Sequence, residues 1–342
     1  MRVQGVPAQR STPQYLAMTF GQVSPYLGVY NWSLSGFGTK FSDPSVAPVG
    51  ALATGRGVAF SPKTDALVLG HTLTPFISAY PWSSSGFGTK YANPGTLSPG
   101  TCFKLMFSWD GANVVTAHAV SPYISAWAWS SSGFGSKYAN PASLANGLAL
   151  SARFNYTNTD VVLAHSGSGG PFVSAYPWSS GFGSKYANPA TLPASIGYEA
   201  VFSLDGTTVA VANTNSPYVA VYPWSSGFGT KYANPSSLPP GNCRGITFNN
   251  NKTVIALASE TSTYQAVYAW SSGFGTKYSD PATAIGGQAQ SVRFDLKELS
   301  LSFGHGTSPF ISSYAWDGGF GTKFSDPAST PLGTGYDITF GQ

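Results

Sequence analysis

The chain has 342 residues, of which 9% are charged and 15% aromatic, and its formal net charge is +4. So mild a charge, spread along the chain, excludes the clustered basic face of a nucleic-acid binder, and no run of about eighteen apolar residues is present to span a membrane. Glycine (40) and proline (25) are abundant without reaching low-complexity levels, so an all-β fold of short strands and tight turns is expected.

Residues 1–14 come first. They carry Arg2, Pro7, Arg10 and Pro13 and read as an arm that orders against a neighbour. They lack the apolar stretch of a signal peptide, so synthesis in the cytoplasm without that export route is expected. Tyr15–Phe20 and Tyr26–Tyr30 then read as two strands, leading into Trp32, a polar turn, and Gly36-Phe37-Gly38-Thr39-Lys40. A tryptophan followed by Gly-Phe-Gly-(Thr/Ser)-Lys-(Tyr/Phe) and a proline occurs seven times. The tryptophans are Trp32, Trp82, Trp129, Trp178, Trp224, Trp270 and Trp316, spaced 50, 47, 49, 46, 46 and 46 residues apart. A period in that range marks an array of one supersecondary unit.

The unit beginning near Tyr198 shows the grammar. Tyr198–Ser203 alternates and ends in the Asp205-Gly206 turn, and Thr208–Asn213 is small and apolar on both faces, as a buried inner strand requires. Tyr218–Tyr222 makes a third strand into Trp224, Phe228–Tyr232 a fourth, and Asn234-Pro235 stops the pairing. Four short strands in about 46 positions describe a propeller blade. First strands are expected around Phe60, Phe107, Phe154, Phe202, Phe248, Phe294 and Phe340.

The two ends are out of phase. Gly335–Phe340 aligns with a first strand, whereas Tyr15–Phe20 and Tyr26–Tyr30 align with a second and a third. One blade is therefore expected to take its innermost strand from the C-terminus and its other three from the N-terminus, closing the ring and removing two open sheet edges. The expected architecture is one closed domain over residues 15–342, a seven-bladed β-propeller of four-stranded blades.

That closure and the Phe-Ser-x-Asp-Gly turn resemble the WD40-like propellers, although no Trp-Asp dipeptide ends the third strand and no Gly-His pair precedes the first. The phrase Gly-Phe-Gly-Thr-Lys-Tyr-Ala-Asn-Pro resembles WD40-like repeat proteins of tailed bacteriophages. What this second resemblance implies is a virion component with other virion proteins as partners.

Chemistry-bearing residues are sparse. The repeated tryptophans are expected in the core, with a ring of sugar-stacking platforms as the alternative. Lys40, Lys90, Lys137, Lys185, Lys231, Lys277 and Lys323 fall on the outermost strand, where lysine blocks edge pairing and a docking ring for an anionic partner is the sharper possibility. Trp109 sits in a hairpin turn and is expected to be exposed. His71, His118, His165 and His305 end second strands of different blades, too far apart to share a metal. Cys102 and Cys243 occupy equivalent positions in distant blades and cannot pair.

Asp43, Asp280 and Asp326 alternate with Asn93, Asn140, Asn188 and Asn234 in one slot, as turn residues before proline do and catalytic carboxylates do not. Glu199, Asp337 and Lys104 share a position on innermost strands, with Arg56 and Arg244 one residue earlier, and a mixed-charge channel mouth is expected there. With no catalytic, metal or cofactor motif, the expectation is a non-enzymatic docking disc in a virion. A glycan-binding propeller is the alternative.

Overall fold

The computed structural model describes residues 14–21, 23–50 and 53–342. The seven units fold as seven antiparallel sheets whose innermost strands each pack against the next, closing a ring. In the sixth blade the strands run outward from the axis in sequence order: Cys243–Phe248, Val254–Ser259, Gln265–Trp270 and Phe274–Lys277. The aromatic residue expected at the centre of each first strand closes six of the seven instead, as Phe248 does here, and Phe340 is the last but one of its strand.

The first blade is the split one. Gly335–Gly341 pairs antiparallel with Gln14–Phe20 and sets Phe340 opposite Leu16 and Ile338 opposite Met18. Pairing begins at Gln14, one residue before the expected boundary. Arg2, Arg10 and the rest of the expected arm before Gln14 lie outside the described residues. Among the described residues, no helix is long and apolar enough to cross a membrane.

The outermost strand varies for a reason the sequence carries. It has five residues in the first and third blades and four in the sixth and seventh, but only Gly86–Phe87 in the second. In the fourth and fifth it shrinks to single bridges, Trp178 to Phe182 and Trp224 to Phe228. These three blades have Pro81, Pro177 and Pro223 just before the tryptophan, where the others have Asn31, Ala128, Ala269 and Ala315. Proline has no N–H to return to the ladder, so pairing stops there.

Packing runs between blades. Trp224 meets Phe228 and Phe202 of its own blade and Tyr186 of the preceding one edge-on, with ring centroids 5.1, 5.3 and 5.2 Å apart. Such contacts add about 0.5–1.5 kcal/mol each beyond area burial. The third-strand tyrosines fasten the loop of the preceding blade: Tyr222 and Tyr268 donate to the carbonyls of Thr191 and Ser237 at 2.8 and 2.7 Å. In the third blade Trp127 takes this place, and its Nε1 donates to the Thr96 carbonyl at 3.0 Å.

The hairpins after the innermost strands are held by one polar residue each. Ser61, Ser108 and Ser203 accept through Oγ, and Asn155 and Asn249 through Oδ1, from backbone N–H groups across the turn. Asp295 does the same in the seventh blade. These turns form the rim of one end of the channel.

Candidate functional site: the charged channel

Every innermost strand is bulged near its start, with two residues opposing one on the second strand. A bulge re-aims side chains, so the second, third and fifth residues of each strand are channel-lining positions. The third position reads Gly57, Lys104, Ser151, Glu199, Gly245, Ser291 and Asp337 around the ring. A Cβ on Gly57 would stand 2.7 Å from the Lys104 Cα, and one on Gly245 2.9 Å from the Ser291 Cα. Glycine there lets adjacent strands close up.

Glu199 and Asp337 are fully buried. Each accepts a backbone N–H from the next blade: Ile246 donates to Glu199 Oε2 and Val58 to Asp337 Oδ2, both at 3.3 Å. Ser151 does the same for Ala200 at 2.9 Å. Asp337 thus ties the C-terminal strand to the second blade.

The same carboxylates gather three cations. Arg153 Nη2 lies 2.7 Å and Arg293 Nη2 2.5 Å from Glu199 Oε1. Arg293 also reaches Asp337 Oδ1 at 3.3 Å. Lys104 Nζ is 2.8 Å from Glu199 and 3.3 Å from Asp337, but out of line with both, so its buried ammonium has ion-pair neighbours and no hydrogen-bond acceptor. Burial works to raise the Glu199 carboxyl, but Arg293, Lys104 and Arg153 outweigh it and hold it well below the usual carboxylate range. Burial likewise opposes the charge on Arg293, and Glu199 and Asp337 more than restore it. Three cations against two carboxylates leave the cluster with one net positive charge.

Arg153 and Arg293 line an open cavity of about 800 Å³ at the hairpin end of the channel. Neither was singled out from the sequence. Both sit at the fifth position of an innermost strand, immediately before the closing phenylalanine, where the other blades carry Ala59, Met106, Val201, Thr247 and Thr339. That shared register was the available signal. The expected mixed-charge mouth is corrected accordingly: Glu199, Asp337 and Lys104 lie inside the channel, whereas Arg56 and Arg244 stand at the other end. There Arg56 stacks over Tyr336 at 4.4 Å, and Arg244 stacks over Tyr198 at 4.2 Å and pairs with Glu260.

The remaining candidates lie away from this cluster. Each of the seven lysines bonds the Asp or Asn three residues on, as Lys185 does with Asn188 at 2.5 Å and Lys277 with Asp280 at 3.1 Å. The slot alternates between Asp and Asn because either supplies the oxygen this ammonium needs. The four histidines are buried, each with Nε2 about 3 Å from a serine hydroxyl of its own blade, as in His118 with Ser125 at 3.0 Å. Burial pushes all four down to about 4. Cys102 and Cys243 are buried free thiols, raised by burial.

Six of the seven repeat tryptophans are buried and the seventh, Trp129, is half-buried, so they form no ring of open sugar platforms. Trp109 is exposed, as expected, and stands on the cavity rim.

A scan against family models finds no match, and a search of curated proteins finds none. Solved structures do share the fold. The periplasmic gluconolactonase of Pseudomonas aeruginosa is 14% identical, with a TM-score of 0.74 over 96% of this chain and 98% of that one. A protein of Bacteroides fragilis provisionally named a 6-phosphogluconolactonase is 11% identical, with a TM-score of 0.74 over 98% and 100%. Its namesake from Bacteroides uniformis is 10% identical, with a TM-score of 0.72 over 96% and 99%.

These likenesses establish the propeller scaffold. They also correct the expectation of a non-enzymatic virion disc or glycan-binding propeller: these three proteins are named for lactone-cleaving activities, and none of them for a virion component. The chain shares its fold with them.

Proposed function

We propose that the protein is a hydrolase of a small anionic lactone, with the channel cluster as its site. The observation that carries this reading is the net positive charge of Lys104, Arg153 and Arg293 against Glu199 and Asp337, set at the base of an open cavity of about 800 Å³. The lactonase names of proteins on the same scaffold lend it support.

Cleavage of a lactone consumes one water. The water oxygen bonds to the carbonyl carbon, the ring C–O bond breaks, the ring oxygen takes up a proton, and a hydroxy acid leaves. Negative charge develops first on the carbonyl oxygen, then on the product carboxylate. Fixed guanidinium groups aimed at that charge in a water-poor site lower the barrier, typically by about 3–4 kcal/mol for one well-placed donor. Here Arg153 and Arg293 supply the donors. Glu199 keeps them aligned: fully buried and held ionised, it is an anchor and not a proton carrier.

The test is a pH-stat assay with the anionic 6-phosphogluconolactone, and with δ-gluconolactone as its uncharged counterpart. The expected result is hydrolysis of the anionic lactone well above the spontaneous rate, lost in Arg153→Met. A wild-type rate equal to the background for 6-phosphogluconolactone would sink this reading.

A further inference from the structure

The blades are near-copies at their scaffold positions, yet they differ where they face the cavity. The first hairpin residue of each blade stands on the rim: Pro62, Trp109, Tyr156, Leu204, Asn250 and Leu296, with Gln342 in the first blade. Turns and loops elsewhere expose aliphatic residues such as Leu34, Leu73 and Val120, and five of the seven rim positions are aliphatic or polar. Two neighbouring blades instead present large aromatic rings.

Trp109 and Tyr156 are 41% and 53% exposed and meet edge-on, with centroids 5.2 Å apart. Their positions are fixed from beneath. The Trp109 backbone N–H donates to Asn158 Oδ1 in the next hairpin at 2.7 Å, and Ser108 and Asn155 brace the two turns. An aromatic corner on a braced backbone and open to solvent is suited to binding, because part of its ordering cost is already met.

Below the corner lies the cationic base. Arg153 lies on the innermost strand and Tyr156 in the hairpin just beyond its end at Phe154, so their Cα atoms are at most about 11 Å apart. Beside Arg153 stand Arg293 and Lys104, whose buried ammonium lies 2.8 Å from Glu199 and 3.3 Å from Asp337. A ligand touching both levels therefore carries negative charge at one end and, within about 10 Å, the C–H face of a sugar ring or polyol chain to set against the aromatic side chains.

We infer that the cavity takes a sugar acid or sugar phosphate one ring or one six-carbon chain long, its anionic group on Arg153 and Arg293 and its far end against Trp109 and Tyr156. This rests on the proposed anion site and names its substrate class. The aromatic corner sets specificity; the arginines supply charge recognition.

Calorimetric titration of the whole chain with 6-phosphogluconate, gluconate and inorganic phosphate tests it. Trp109→Ala/Tyr156→Ala should weaken 6-phosphogluconate about tenfold, the scale of aromatic contacts, and leave phosphate affinity unchanged. Arg153→Met should weaken both. Gluconate binding as tightly as 6-phosphogluconate also supports the inference and assigns the anchor to a carboxylate.

Unchanged 6-phosphogluconate affinity in the rim variant overturns it, as does an equal loss for phosphate or no binding by the wild type. Thermal melts check that the rim and arginine variants keep the native fold. If the binding pattern holds while no lactone is cleaved, the hydrolase reading fails and the ligand class stands. If lactone is cleaved while the rim substitutions change nothing, the ligand class fails and the hydrolase reading stands.

Discussion

Arg293 and Glu199, 94 residues apart in the chain, meet inside the channel with Nη2 2.5 Å from Oε1. They belong to the seventh and fifth blades, so the contact exists only in the closed ring. Arg293 extends it to Asp337 of the C-terminal strand, and one guanidinium thereby links a carboxylate that braces the sixth blade to one that braces the second.

Removing that link should be costly. Arg293→Met leaves two buried carboxylates with less compensation, and breaking a buried pair from one side costs about 3–5 kcal/mol. Urea unfolding should show that loss. Glu199→Gln in the same chain should recover part of it, because the carboxylate most dependent on Arg293 is then neutral.

Ring closure predicts a second outcome. Deleting residues 335–342 removes the buried Ile338 and Phe340 and exposes the inner edge of Gln14–Phe20. At about 1.5–3 kcal/mol for each large apolar side chain, plus a full strand ladder, the loss approaches the whole stability of an ordinary domain. The truncated chain should aggregate or melt well below the full one. A synthetic 335–342 peptide should restore the native circular dichroism, and failure to do so at high peptide concentration would count against a closing role.

The histidines predict acid sensitivity with a defined window. Their folded values near 4 lie below the ordinary 6.5, so the unfolded chain binds more protons between these limits. Stability is therefore full above about pH 6.5 and falls as pH drops toward 4, each histidine adding up to about 1.4 kcal/mol per pH unit. Unfolding free energies measured from pH 4.5 to 8 should follow that slope, and His118→Gln should make it shallower. A profile flat across this range would refute the burial account.

The repeated lysine contacts predict indifference. Asn234→Asp keeps an acceptor for Lys231 and should change stability by less than about 0.5 kcal/mol, whereas Asn234→Leu removes it and should cost up to about 1 kcal/mol, as exposed pairs do. Chemical denaturation of the two variants checks this, and a loss in Asn234→Leu no larger than in Asn234→Asp would refute the acceptor requirement.

Much of the fold was legible because it repeats. Trp32 to Trp316 announces the blade count, and the missing first strand before Tyr15 matches the surplus strand at Phe340. The shortened outer strands were missed: Phe228–Tyr232 was expected as a full fourth strand, but after Pro223 its pairing shrinks to one bridge, and Pro81 and Pro177 mark the same effect. The Asp/Asn slot was half-read: its interchangeability was visible, but its partner was not, because a lysine three residues upstream looks like an independent edge residue.

The candidate site was read only in part. Lys104, Glu199 and Asp337 share a register and stood out, while Arg153 and Arg293 passed as isolated charges beside a repeated phenylalanine. Sequence periodicity determined the blade, the number of blades and the phase of closure, because these follow from local patterning and from equivalent residues doing equivalent work. Only the tertiary structure decided which departures from the repeat come together. Closing the ring brings the innermost strands of all seven blades around one axis, so residues from distant repeats share one small, poorly solvated volume. There an unpaired charge is too expensive to leave alone, and the five charged residues must answer one another.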